Sequence, residues 1–279
     1  MGELISGKKI AATIIDELKQ QTSGMKVKPL LAMVLVGNDS ASEIYVRYKE
    51  RASLRAGFDS KLVRLSENIS QETLLQEIEK LNTDKKIHGF IVQLPLPKQI
   101  DEKKIIDAIS PLKDADGFTT ANLGNLFVGN KTILPATVVG VMRMLETVVS
   151  DFRGKNVVVV GASNIVGKPL GVLLLNQLAT VTTCNVDTKN LAEHIKNADI
   201  LVVAAGKAGL VSKNMVKKGA VVIDVGINRL DDGSICGDVS KEVREVAGFT
   251  SPVPGGVGPM TVAMLLSNTL ECMKLQGLV

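Results

Sequence analysis

The chain has 279 residues, with 33 Lys and Arg against 29 Asp and Glu, 45% hydrophobic and only 3% aromatic. That length suits one large or two medium domains, since chains of this size bury roughly 75% of their unfolded surface, and a charged fraction of 22% beside ample Val, Ile and Leu excludes disorder. A net charge of +4 without interleaved aromatics points away from nucleic acid, and no apolar run approaches the ~18 residues of a membrane span.

Two histidines, His88 and His194, leave too few ligands for a zinc site or a His-based triad, so no metal is expected. Cys184, Cys236 and Cys272 form no CxxC pair and no even framework, which fits a reducing, cytoplasmic compartment. The N-terminus opens on charged residues and a helical pattern rather than a signal peptide. Met1-Gly2 with Ser6 matches a loose myristoylation pattern, but no polybasic stretch supports it.

Ile10, Ile14 and Leu18 recur at spacing four, so the chain starts with an amphipathic helix. Leu30 to Val36 is an apolar, β-compatible run stopped by Gly37. Ser40 with Glu43 three residues later reads as a capping box, and Gly57 closes the helix that follows. Lys61–Leu65 is a strand, Leu74, Leu75, Ile78 and Leu81 mark a helix, and Ile87–Gln93 is a strand halted by Pro95 and Pro97. Such alternation builds a largely parallel sheet with covered faces. Val157–Val160 is a buried strand running directly into Gly161-Ala162-Ser163-Asn164-Ile165-Val166-Gly167 and a Leu-rich helix. Thr180–Cys184, Ile200–Ala204 and Ala220–Asp224 are further strands, and this nucleotide-binding half spans about Thr137 to Thr250. The Pro/Gly-rich segment Ser251–Gly258 leads into a last helix, from Pro259 to about Lys274, expected to pack back on the first domain.

Five segments carry candidate chemistry. Between a buried strand and a helix, the Gly161–Gly167 turn offers free N–H groups and a positive dipole end to a pyrophosphate. Its pattern is GxSxxxG, however, and an ordinary tight βα turn would look similar. Tyr45 and Lys49 share one helix face at i and i+4, leaving Ile44, Tyr48 and Ala52 for the core. A pocketed lysine can act as acid or base because desolvation lowers its pKa, whereas a lone helix lysine is ordinarily solvated. Gln93 leaves a buried strand end just before Pro95 and Pro97, where open α/β sheets place ligand contacts. In Lys113-Asp114-Ala115-Asp116-Gly117-Phe118 the acidic pair is either an Asx-type turn or a ligand carboxylate. Pro252 and Pro254, then Gly255, Gly256 and Gly258 before Thr261, form a stiff loop whose backbone can approach a ligand closely.

Taken together, YVRYK (45–49), VQLPLP (92–97), KDADGF (113–118), GASNIVGKP (161–169), VIDVGIN (222–228), GDV (237–239) and PVPGGVGPMT (252–261) resemble the methylenetetrahydrofolate dehydrogenase/cyclohydrolase family over essentially the whole chain. The resemblance implies an α/β fold of two parts. One is a folate-binding catalytic domain over 1–136 plus 255–279, the other a Rossmann NAD(P)-binding domain over 137–254. It implies a homodimer with folate in a cleft, serving one-carbon metabolism and purine biosynthesis. Carried over, Lys49 is the cyclohydrolase acid/base and Gln93 its hydrogen-bond partner. Tyr45 stacks on the aminobenzoyl ring and Asp116 hydrogen-bonds the pterin. Pro254, Gly255, Gly256 and Thr261 shape the folate pocket, and Gly161, Ala162, Ser163, Val166, Gly167, Val186, Asp187 and Ile227 form the dinucleotide site.

Three segments depart from the family pattern. Ala162 stands where the family has Arg, Pro135-Ala136-Thr137-Val138 where it has PCTP, and Cys184-Asn185-Val186 where it has CHS. The family default is NADP, whose 2′-phosphate needs a cation, usually Arg. Here that cation is missing, and Asp187 follows Gly161 by 26 residues, near where NAD-specific sites carry an acid. Lys168 and Lys189 are possible replacements for the Arg, yet the sequence leans to NAD. A short-chain dehydrogenase also uses Tyr-xxx-Lys, but after the Gly-rich turn, whereas Tyr45 precedes Gly161. The alternative is a non-catalytic or cyclohydrolase-only folate-binding homologue with impaired cofactor binding; Lys49 and Gln93 argue against the non-catalytic form, because binding alone needs no acid/base.

Overall fold

Residues 1–278 are described by a computed structural model. In chain order the first elements are β1 (Glu3–Leu4), α1 (Gly7–Thr22), β2 (Leu30–Val36), α2 (Ser40–Arg55), β3 (Asp59–Leu65), α3 (Gln71–Thr83) and β4 (Gly89–Val92). Then come α4 (Glu102–Asp107), α5 (Thr120–Phe127), α6 (Ala136–Glu146), β5 (Asn156–Val160), α7 (Gly167–Asn176) and β6 (Thr180–Cys184). The remainder is α8 (Leu191–Ile195), β7 (Ile200–Val203), β8 (Val221–Asp224), β9 (Asn228–Arg229), β10 (Ile235–Cys236), β11 (Phe249–Thr250) and α9 (Val257–Leu275). The chain divides into two compact units.

The unit formed by Ala12–Ala136 and the chain from Val262 onward is built on a parallel sheet ordered β3-β2-β4. Every residue of β2 after Leu30 is buried, which is why its sequence reads as a continuous apolar run. Ala32, Val34 and Val36 of β2 pack with Leu74, Ile78 and Leu81 of α3 and with Phe90 and Val92 of β4. At roughly 1.5–3 kcal/mol for each fully buried large aliphatic side chain, this cluster is the main favourable term holding the sheet to its helices. The last helix contributes to this unit: Asn268 Nδ2 donates to the carbonyls of Ala115 and Leu134, both at 2.9 Å.

Two local expectations for α2 are corrected. Its N-cap is Asp39, whose carboxylate accepts from the Ser42 N–H at 2.7 Å, not Ser40 in a box with Glu43. Its buried face is Ser42, Val46, Lys49 and Ser53, whereas Ile44 and Tyr48 are exposed and Ala52 is half-buried. The apolar residues of this helix do not mark its inner face, because that face carries a polar site.

The other unit, Met1–Ala11 with Thr137–Thr261, holds a six-stranded parallel sheet ordered β1-β11-β8-β7-β5-β6. From β5 the chain steps to β6 on one side, then crosses back to β7 on the other. That reversal opens a crevice at the carboxyl ends of β5 and β7, the ligand position of open α/β sheets. Val158, Val160, Leu201, Val203 and Val222 of the central strands form one apolar core with Ile195 and Val243.

Strand β1 departs from the expected division at 136, because residues 1–11 pack with this sheet. Glu3 N and Ile5 N donate to the carbonyls of Gly248 and Thr250, extending the β11 edge, and Ile5 is buried. A two-residue strand has no periodicity for sequence reasoning to find. Residues 255–261 also belong here, and α9 starts at Val257, two residues ahead of the expected Pro259. Among the described residues, no helix is long and apolar enough to cross a membrane.

Candidate active site

Lys49 sits on the inner face of α2 and is buried, with Ser53 one turn on donating its hydroxyl to the Lys49 carbonyl at 2.9 Å. Its ammonium donates to Gln93 Oε1 at 3.0 Å. Gln93 lies just past β4, where its N–H still pairs with the Val34 carbonyl at 2.9 Å, so the ladder fixes where the side chain emerges. The Gln93 amide N donates to the Leu94 carbonyl at 2.7 Å, which orients the amide oxygen toward the lysine. Burial pushes the Lys49 amine below its ordinary range, and the charge of Asp116 opposes that fall.

Asp114 and Asp116 take separate roles. Asp114 is fully buried and accepts from Gly117 N, Thr119 N and Asn122 Nδ2 at 2.8, 2.8 and 2.9 Å, closing the turn. Among the described residues the Asp116 carboxylate accepts no hydrogen bond. Desolvation raises it to about 6, with Lys49 pulling it down and Asp114 pushing it up. Asp116 keeps some solvent-facing surface, so the raised value reflects the protein packed around it rather than complete enclosure. A carboxylate placed beside a buried lysine and left without donors is available to a ligand. Tyr45, one turn before Lys49, is 37% exposed and offers a ring face, with its hydroxyl raised by partial burial.

Sequence reasoning passed over Asn268, whose two bonds to Ala115 and Leu134 tie down the segment bearing Asp116. Its only signal is an amide inside an apolar helix.

In the six-stranded unit, Gly161 ends β5 at φ +113, and a Cβ there would overlap the Ala204 carbonyl. A Cβ at Gly167 would overlap the Gly161 carbonyl, so both glycines are required by close approach, as a phosphate-cradling turn demands. Helix α7 begins without a side-chain cap; in its first turn Lys168 N donates to the Ser163 carbonyl at 3.0 Å and Pro169 has no N–H, which leaves the Gly167 N–H at the dipole-positive end. Ser163 Oγ accepts from Val166 N at 3.2 Å and shapes the turn. At the end of β6, Val186 is 97% exposed and Asp187 is exposed, its N–H donating to Asn185 Oδ1 at 3.0 Å. Lys168 is engaged with Asn164 Oδ1 at 2.8 Å, and Ile227 is exposed. These features fit a dinucleotide.

Pro254, Gly255, Gly256 and Thr261 belong to this same unit. Gly255 has φ +102, its carbonyl accepts from Lys8 N at 2.9 Å, and the Thr261 hydroxyl lies 3.1 Å from that of Thr137. A cavity of about 580 Å³ opens at the amino ends of β7, β8 and β11, lined by Arg153, Lys155, Asp199 and Lys217 among others, and contains none of the candidate residues.

A buried, amide-held lysine on one α/β unit and a dinucleotide turn on another define a two-domain, dinucleotide-binding α/β enzyme. Sequence profiles place it further. The catalytic domain of tetrahydrofolate dehydrogenase/cyclohydrolase matches residues 5–116 and the NAD(P)-binding domain of the same family matches residues 135–277. The chain belongs to the tetrahydrofolate dehydrogenase/cyclohydrolase family. Bifunctional protein FolD of Halalkalibacterium halodurans is 54% identical over 275 residues, covering 97% of this chain and 98% of its own. The bifunctional FolD structure from Campylobacter jejuni matches at TM-score 0.97 and 44% identity, covering 99% of this chain and 100% of that one. A Trypanosoma brucei methylenetetrahydrofolate dehydrogenase-cyclohydrolase, solved with NADP and an inhibitor, matches at TM-score 0.95 and 37% identity, covering 100% and 99%.

Proposed function

We infer that this chain oxidises 5,10-methylenetetrahydrofolate to the 5,10-methenyl form with NAD(P)+, then hydrolyses that product to 10-formyltetrahydrofolate. The carrying observation is the buried Lys49 ammonium held 3.0 Å from Gln93 beside Asp116, within a chain whose two halves match the two domains of this family. The bound dinucleotide supplies the hydride acceptor for the first step. The substrate's methylene carbon lies between two nitrogens whose lone pairs stabilise the cation left behind, so the protein's task there is alignment. Tyr45 and Asp116 serve that task on the folate, with Pro254, Gly255, Gly256 and Thr261 shaping its pocket. In the second step water adds to the methenyl carbon and Lys49, when neutral, takes the water's proton. Lys49 then returns that proton to the ring nitrogen as the carbon–nitrogen bond breaks, and the remaining hydroxyl proton leaves to solvent as the formyl carbonyl forms. Gln93 orients the amine without adding charge.

Gly161, Ala162, Ser163, Val166, Gly167, Val186, Asp187 and Ile227 are the residues assigned to the dinucleotide. The lean is to NAD: position 162 carries no cation, Lys168 is occupied by Asn164, and Asp187 has no ion-pair partner among the described residues. A carboxylate there favours a ribose hydroxyl and repels a 2′-phosphate. The reading includes a homodimer in the cytoplasm contributing to purine biosynthesis, supported by the family membership and by three unpaired cysteines. Purified protein given 5,10-methylenetetrahydrofolate with NAD+ or NADP+ in turn is expected to form methenyl product and then consume it. No methenyl absorbance with either dinucleotide overturns the oxidation, and no decay of supplied methenyl substrate overturns the hydrolysis.

A further inference from the structure

Two buried carboxylates in the six-stranded unit have no part in the chemistry above. Asp238 is fully buried, and its Oδ2 accepts from Ala205 N at 2.7 Å and Gly206 N at 2.8 Å, while its Oδ1 accepts from Lys207 N at 2.9 Å and Asn228 Nδ2 at 2.8 Å. One side chain thus gathers three consecutive backbone N–H groups of the loop that leaves β7. Asp224, at the end of β8, holds Asp238 in turn. Its Oδ1 accepts from Asp238 N and its Oδ2 from Val239 N, both at 3.0 Å. The fit admits nothing larger, since a Cβ at Gly237 would overlap the Asp224 carboxylate and one at Gly226 the Asp238 carboxylate.

The loop so held begins at Ala204, whose carbonyl presses against Gly161, and it follows the strand adjoining β5 at the sheet's reversal point. Its position therefore sets one wall of the crevice. Without the carboxylate these three N–H groups, on residues that are themselves exposed, would turn to solvent and the loop would lose its anchor. We propose that Asp238, held by Asp224, is a positioning residue that fixes loop 204–207 as a wall of the dinucleotide site. This rests on the reading that the Gly161 turn takes the dinucleotide. Asp238 itself is too deeply buried to meet the ligand, so it acts through the loop.

The test is Asp238→Asn, which keeps shape but turns an N–H₂ donor toward N–H groups that need an acceptor. The KM for the dinucleotide is expected to rise about tenfold or more, the equivalent of roughly 1.4 kcal/mol. The rate of hydrolysis of saturating methenyl substrate, whose acid/base Lys49 and its partner Gln93 lie in the other unit, should change less than twofold. A merely structural role would lower both activities together, or neither. An unchanged dinucleotide KM in folded protein overturns the proposal, as does a parallel loss of hydrolysis. Should Asp238→Asn fail to fold, Asp224→Asn, which loosens Asp238 through its N–H, is expected to raise the same KM about threefold, and no rise there overturns it. Wild-type protein that binds neither NAD+ nor NADP+ in a calorimetric titration would instead defeat the underlying reading of the turn.

Discussion

Lys49 and Asp116 are electrostatically linked, and the link makes separate predictions for rate and stability. Lys49→Met is expected to abolish methenyl hydrolysis while leaving the fold and folate binding largely intact. Oxidation suffers less, because it needs alignment and no proton from the protein. Hydrolysis at the wild-type rate would remove Lys49 from its role. Asp116→Asn deletes the charge that holds the Lys49 amine up, so the amine falls further and the rising limb of the hydrolysis kcat profile moves to lower pH. A limb that stays in place disproves the coupling. The same substitution should weaken folate binding by about 1.5–3 kcal/mol, the range for a hydrogen bond to a charged group. Stability moves the other way. The Asp116 carboxyl titrates at about 6 in the folded chain against 3.8 ordinarily, so between those values the folded state holds the extra proton. Stability therefore falls as pH rises through that window and stays lower above it. Asp116→Asn lacks this penalty, and its unfolding free energy from urea titration should gain on the wild type between pH of about 4 and about 7, by on the order of 1–2 kcal/mol after screening.

At the scale of single elements, legibility followed periodicity and failed where a residue answers to something distant in sequence. Strands β2 and β6 fall on the expected residues because runs of Leu, Val and Thr between turn signals have one reading. Helix α2 was legible as a helix but not by face, since Lys49 and Ser53 occupy the side that pattern reasoning gives to Ile44 and Tyr48. Local rules break where a functional group must be buried. Lys49 and Gln93 met as the family resemblance implied, whereas Asp238 could not be paired with residues 205–207 from any local pattern. Strand β6 also carries the specificity prediction. With Ala162 uncharged and Asp187 exposed at its end, NAD+ should be preferred in kcat/KM, and a tenfold advantage for NADP+ would sink that lean. Ala162→Arg with Asp187→Ser should then shift preference toward NADP+, because the pair supplies the cation and removes the repelling carboxylate.

For the whole molecule, two compact units in one chain mean that unfolding need not be a single transition. The first residues provide the probe. Ile5 is buried at the edge of the six-stranded sheet, its N–H bonded to the Thr250 carbonyl, and Gly2 is tied at both ends to Arg244. Truncating Ile5 to Ala removes a buried aliphatic group where the neighbouring backbone is pinned, so the site cannot collapse around the loss. The expected cost is about 2–4 kcal/mol. That cost falls on the unit carrying Gly161, Asp238 and β11, while Lys49, Gln93 and Asp116 all lie within Ala12–Ala136. In a urea series, dinucleotide-dependent oxidation by Ile5→Ala should therefore fail at lower urea than in the wild type. Hydrolysis of saturating methenyl substrate should shift less, because Lys49, Gln93 and Asp116 depend on the other sheet. Equal shifts of both activities would mean that the chain unfolds as one cooperative body, and the separate energetic standing of the two units would be lost.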